Sequence, residues 1–117
     1  DMFQQVLEEL KGSSADVEAS ALISTDGLMI ASALPAGMDE DRVGAMSAAL
    51  LSLGDRAVRE LARGTLERVL LQGDRGYVIM SSSGTEAVLT VLAKQNAKLG
   101  LLFLDIKRAA EALSKLI

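Results

Sequence analysis

The chain contains no cysteine, no histidine and no tryptophan, one proline, and only Phe3, Tyr77 and Phe103 as aromatics. Each absence closes a class of function. Without cysteine or histidine there is no disulfide, no thiol nucleophile, no Ser–His pair and no Cys/His zinc site. A hard cation held by carboxylates would call for alternating Asp or Asn ahead of a glycine, and no such run occurs. So few aromatics leave no platform for stacking single-stranded bases, and a net charge of −4 offers no positive field to a duplex. Nucleic acid is not an expected partner. No apolar run reaches the length of a membrane span and nothing resembles a signal peptide, so no membrane insertion and a cytoplasmic location are expected. The sequence starts at Asp1 rather than Met, which leaves open a segment ahead of it.

What is present fits one soluble domain over residues 1–117, half apolar and 24% charged, with an aliphatic core. Residues 2–10 place Phe3, Val6, Leu7 and Leu10 on one face of a short helix that Gly12-Ser13-Ser14 ends. Val17, Ala19, Ala21 and Ile23 then alternate with polar neighbours. Thr25-Asp26-Gly27 forms a tight turn, and residues 28–34 resume as a second strand, a hairpin that Pro35-Ala36-Gly37 closes. Asp39 caps a long helix, Glu40 and Asp41 sit at the positive end of its dipole, and Gly64 is its expected stop. Three strands in close order, 66–72, 77–82 and 87–93, are joined by loops short enough to enforce an antiparallel meander. A last helix presents Leu99, Leu102, Phe103, Ile106, Ala109, Ala110, Leu113 and Leu116 on one broad face. The expected fold is therefore α+β, in the order α-β-β-α-β-β-β-α. It has a five-stranded, mostly antiparallel sheet with one long helix on one face and two helices on the other.

The middle helix carries the functional signal. Steps of about 100° per residue divide residues 43–63 into three stripes. Val43, Met46, Leu50, Leu53, Ala57 and Leu61 have the spacing of a helix lying on a core. A second stripe, roughly 130° round the axis, is Gly44, Ala48, Leu51, Asp55, Val58 and Ala62, with Ser47 beside it. Its small residues suit the close approach of a second protein surface, and a two-fold dimer contact is expected there. The third stripe, Ala45, Ser52, Arg56, Arg59 and Arg63, is left for a further partner or for solvent.

Catalytic chemistry is largely missing. No GxxxxGK[ST] loop exists to cradle phosphates. Ser81-Ser82-Ser83-Gly84-Thr85-Glu86 reads as a strand end entering a turn, and Asp26 and Asp74 as turn residues bonding locally. Arg75, at a hairpin tip, reads as a solvated turn residue rather than an arginine finger. No catalytic, cofactor-binding or metal-ligating residue is assigned, and no enzyme activity is expected.

The element order, the segment Ala21-Leu22-Ile23-Ser24-Thr25-Asp26-Gly27-Leu28-Met29-Ile30-Ala31, the small-residue helix and the 66–93 meander resemble the Roadblock / dynein light chain domain over nearly the whole chain. That resemblance implies homodimers or heterodimers in which the middle helices pair and the sheets join edge to edge through the strand after that helix. Leu66, Arg68 and Leu70 would then join Gly44, Ser47, Ala48, Leu51, Asp55 and Val58 in the interface. It also implies a small Ras-like GTPase as partner, by analogy with a bacterial polarity regulator that acts on its GTPase as a dimer. Ala45, Ser52, Arg56, Arg59 and Arg63 would be the partner-binding face. The alternatives are a small-molecule sensory domain, which a cavity lined by Tyr77, Met80 and polar groups would favour, and a scaffold without a GTPase.

Overall fold

In a computed structural model describing residues 1–117, the elements follow the expected order. They are α1 (Met2–Ser13), β1 (Val17–Ser24), β2 (Met29–Ala33), α2 (Glu40–Glu60), β3 (Val69–Gly73), β4 (Gly76–Ser83), β5 (Ala87–Ala93) and α3 (Leu99–Ser114). The strands form one antiparallel sheet in the order β2-β1-β5-β4-β3. The last strand enters the centre, pairing Ala21 of β1 with Thr90 and Met80 of β4 with the same Thr90. β5 is buried on both faces over nearly its whole length, and β1 beside it likewise, because helices cover each side.

α1 and α3 share one face. Their Leu7, Leu10, Leu102, Ile106 and Leu113 close over Leu22, Leu89 and Val91 of the sheet to make the larger core. α2 crosses the other face above Ala21, Ile23, Met80 and Val88, a smaller core to which Val43, Leu50 and Leu51 add their side chains. The alternation of strand side chains puts neighbours such as Tyr77 and Met80 on opposite sides of the sheet. Tyr77 packs with the larger core and Met80 with the smaller, so they line no common cavity.

Both ends of α2 bear on function. At its start, the Asp39 side chain accepts a hydrogen bond from the Arg42 N–H at 3.2 Å, as its capping role requires. At its end, helical structure stops at Glu60, short of the expected Gly64. The Arg63 N–H donates to the Val58 carbonyl at 2.7 Å and the Ala62 N–H to the Arg59 carbonyl at 3.1 Å, the paired bonds of a Schellman stop. The residue that takes the left-handed conformation is Ala62, with φ of 57°. An alanine there crowds its own Cβ against the backbone, a cost that glycine lacks. Ala62→Gly is therefore expected to raise stability by about 0.5–1 kcal/mol, net of the entropy glycine adds to the unfolded chain. A thermal melt checks this, and a lowered midpoint would show that the left-handed cap is not under strain.

The strand after α2 also starts later than expected, at Val69 rather than Leu66. Leu66 turns in beneath the helix, with its methyl groups about 3.5 Å from where a Cβ on Gly54 would lie, so its backbone leaves the ladder. Arg68 goes to the opposite face, its guanidinium 4.2 Å from the centre of the Phe103 ring.

Candidate functional site

The rotation of α2 about its axis decides which side chains are free. Gly44 and Ser47 are buried, Leu51, Gly54, Asp55 and Val58 are half-buried, and this 3-4-3-4 row is the one that faces the sheet. Gly44 lies so close to the β1–β2 turn that a methyl group on it would collide with the Gly27 carbonyl oxygen. Ser47 accepts a 2.8 Å hydrogen bond from the Thr90 hydroxyl, which fixes the helix to the central strand and satisfies both buried groups.

Two expectations are corrected by this geometry. Of the stripe read as core, Val43 and Leu50 pack on the sheet, but Met46, Leu53, Ala57 and Leu61 point outward. Met46 is 56% exposed, Leu53 61% and Leu61 70%. Of the stripe read as a dimer seam, Gly44 and Ser47 are covered by the chain's own sheet, and Leu51 packs on the smaller core. The physical reason is that small residues allow close approach to any surface, and here the surface is the β1–β2 turn and β5. Ala48, Asp55 and Val58 keep part of their surface free along the margin of the helix. The residues missed were the large ones, and the signal was present. Gly44, Ser47, Leu51, Gly54 and Val58 already have helical spacing, but with two glycines and a serine they do not read as a core stripe.

The third stripe is exposed as expected at Ala45, Ser52, Arg56, Arg59 and Arg63. Its arginines are held by local partners. Arg56 pairs with Glu60 at 3.4 Å, Arg59 with Asp55 at 3.0 Å, and Arg63 donates to the Ala62 carbonyl at 3.2 Å. Exposed pairs one helical turn apart hold their side chains weakly, so a stronger anionic partner can displace them. A cleft of about 420 Å³ runs beside this stripe between α2 and the turn joining β4 to β5, lined in part by Ser52, Asp55, Arg59, Thr65, Ser82 and Thr85. The hydroxyl-rich run at that turn is partly structural, because the buried Ser83 hydroxyl donates to the Ala110 carbonyl at 2.7 Å and ties the strand to α3.

The two edges of the sheet differ. At β2, Gln4 reaches from α1 and donates from its side-chain amide to the Ser32 carbonyl at 2.7 Å, while the Ser32 hydroxyl donates to Glu40 at the same distance. At β3, Leu70 and Leu71 are each 41% exposed, no helix closes the edge, and no proline or lysine interrupts it. The open edge and the exposed row of α2 belong to consecutive elements.

The model of the Roadblock/LC7 domain matches residues 2–93. An uncharacterized protein of Methanocaldococcus jannaschii is 38% identical over 110 residues, which cover 94% of this chain and 95% of that protein. Among solved structures, Myxococcus xanthus MglB superposes with a TM-score of 0.88 at 22% identity, covering 98% of this chain and 94% of its own. A Roadblock/LC7 domain from Streptomyces avermitilis gives 0.85 at 22% identity, covering 97% and 95%. At that identity the structural likeness establishes the fold. No helix is long and apolar enough to cross a membrane.

Proposed function

Because the chain belongs to the Roadblock/LC7 domain family, we propose that it works as a two-fold homodimer, joined through α2 and β3, that binds and regulates a small Ras-like GTPase without catalysing a reaction itself. The observation that carries the dimer is the exposed apolar row Met46, Leu53 and Leu61 next to an unprotected strand edge. Isolated exposed leucines are ordinary, but large exposed side chains recurring along α2 and at its C-cap are not. A free edge one element away supplies unpaired backbone groups in the same region. A second copy related by a two-fold axis would cover both at once, helix on helix and β3 on β3. Ala48, Asp55 and Val58 flank that seam, with Leu70 on the strand.

The GTPase is what membership of the family implies, and the surface left for it is Ala45, Ser52, Arg56, Arg59 and Arg63. Three exposed arginines at and just beyond the end of α2, each held only by a local partner, suit an acidic or phosphate-bearing partner. The test is retention of a small GTPase from source-cell lysate on the immobilised chain, run separately with a non-hydrolysable GTP analogue and with GDP. Nucleotide-dependent recovery is the expected result. Arg56→Glu with Arg59→Glu should then weaken that binding at least tenfold, or about 1.4 kcal/mol, since two attractions become repulsions. Undiminished affinity in the double variant would reject this face. Failure of a folded, dimeric bait to retain any GTPase would reject the regulatory reading in favour of a scaffold.

A further inference from the structure

β4 runs three residues past the last rung of β3. The register pairs Gly73 with Gly76, Leu71 with Val78 and Val69 with Met80, and stops there, while β4 continues through Ser81, Ser82 and Ser83. Gly73 and Gly76 flank a two-residue turn, so they exchange hydrogen bonds, and every second pair after them does the same. Ser82 is next in that series. Its N–H and C=O therefore point away from β5, towards a rung that β3 does not supply. None of the backbone bonds made in turns and loops reaches Ser82. The gap exists because Leu66 turns in beneath α2 and takes the chain off the ladder.

On the α3 side this gap opens into a cavity of about 280 Å³, below the roughly 300–1,000 Å³ of drug-sized pockets. Its floor is apolar, with Ile79 from the sheet and Phe103, Ile106 and Ala110 along one face of α3. Its charged lining is Glu67, Arg68, Lys107 and Glu111, two of each sign. None of the four forms an ion pair, although Lys107 and Glu111 are one helical turn apart. Arg68 lies instead over the Phe103 ring, 4.2 Å from its centre. The cleft on the α2 side of Ser82 differs, because there Arg59 and Asp55 already satisfy each other at 3.0 Å.

We propose that the cavity between β4 and α3 binds a free α-amino acid with an aliphatic side chain, held at the missing rung. Ser82 offers one donor and one acceptor side by side. The carboxylate and ammonium on a single α-carbon complement them much as a residue of a neighbouring strand does. The lining charges sum to zero with both signs unpaired, so a zwitterion finds a partner for each end. A simple anion or cation meets as many like charges as opposite ones. The carboxylate would face Arg68 and Lys107, and the ammonium Glu111. The apolar floor takes the aliphatic side chain, since Arg68 already covers the one aromatic ring. The small volume admits one residue, and Leu66, Glu67 and Arg68 wall it on the β3 side, so an extended peptide is not the occupant. The site lies apart from the α2 surfaces given above to the dimer and the GTPase, and does not rest on that reading.

Calorimetric titration of the chain with L-leucine tests this, with N-acetyl-L-leucine and L-leucinamide as probes that each lack one charge. Leucine is expected to bind, and each derivative about tenfold more weakly or worse, since one end of the zwitterion is lost. Arg68→Gln and Glu111→Gln, both at exposed positions, should each weaken leucine binding about tenfold while the fold holds by circular dichroism. Amide exchange at Ser82 should slow when leucine is present. The three probes are compared on the unaltered chain, so that comparison stands even where a variant fails to fold. No binding of leucine at millimolar concentration overturns the proposal. So does equal binding of all three probes, wild-type affinity in either folded variant, or unchanged exchange at Ser82.

Discussion

Leu53→Arg is expected to halve the mass of the particle formed through α2 while leaving the melting behaviour of each chain nearly unchanged. Leu53 is 61% exposed within one chain, so a charged side chain there stays in water and costs the fold little. In the proposed seam it would meet the partner's helix. Removing a leucine from such a contact forfeits about 1.5–3 kcal/mol of apolar burial. Leaving an arginine unpaired in its place adds several kcal/mol of desolvation. Together these amount to at least a hundredfold in dissociation constant, at about 1.4 kcal/mol for each factor of ten. Light scattering or sedimentation at micromolar concentration should show single copies. Leu51→Arg makes the contrast. Leu51 is half-buried and packs against Ala21, Ile23, Met80 and Val88, so arginine there should lower the melting point rather than dissociate an intact fold. If Leu53→Arg leaves the mass unchanged, the outward row of α2 is not the seam.

Gly44→Val is expected to be among the most destabilising substitutions on α2, with a loss of about 2–4 kcal/mol. Helix propensity alone argues the other way, since valine is favoured over glycine in a helix interior by a few tenths of a kcal/mol. Sterics decide. The first side-chain atom at position 44 would collide with the Gly27 carbonyl oxygen, a backbone atom that cannot swing aside. The Gly27 backbone is itself fixed by a positive φ of 89° and by a 2.9 Å hydrogen bond from its N–H to the Ser24 carbonyl. Relief therefore requires lifting the start of α2 off β1, which would also strain the bond between Thr90 and Ser47. For a domain of this size the loss corresponds to a fall in melting temperature of about 10 °C. Gly100→Ala, near the start of α3 with nothing within 4 Å of the added carbon, is the control and should not fall. A wild-type melting point for Gly44→Val would show that the turn and the helix move apart without cost.

How far the sequence reaches is clearest on α2. Period and capping are local properties, so Asp39 as the N-cap and the helical run beyond it are legible from neighbours a few residues apart. Its direction of facing is not local. Met46 and Leu53 look like core residues because hydrophobicity favours burial, yet the inward side is set by how near β1, β5 and the Gly27 turn allow a helix to come. Gly27 lies 17 positions before Gly44, and Thr90 lies 43 positions after Ser47. A helix that must lie this close turns its smallest residues down, and its large ones are left facing out.

The sheet divides in the same manner. Hairpins and the meander follow from turn chemistry and short loops, so the pairing of β1 with β2 and of β3 through β5 could be written from sequence. The insertion of β5 beside β1 could not, because contacts between distant segments carry no local pattern. From that one pairing follow the central position of Thr90 and the two edges at β2 and β3. The sequence by itself determined the elements, their order and their layers, since each depends on residue type and short-range spacing. Only the tertiary structure decided which face of α2 is free and where the open edge lies. Those properties depend on what packs against what, which is settled when the whole chain closes around its core.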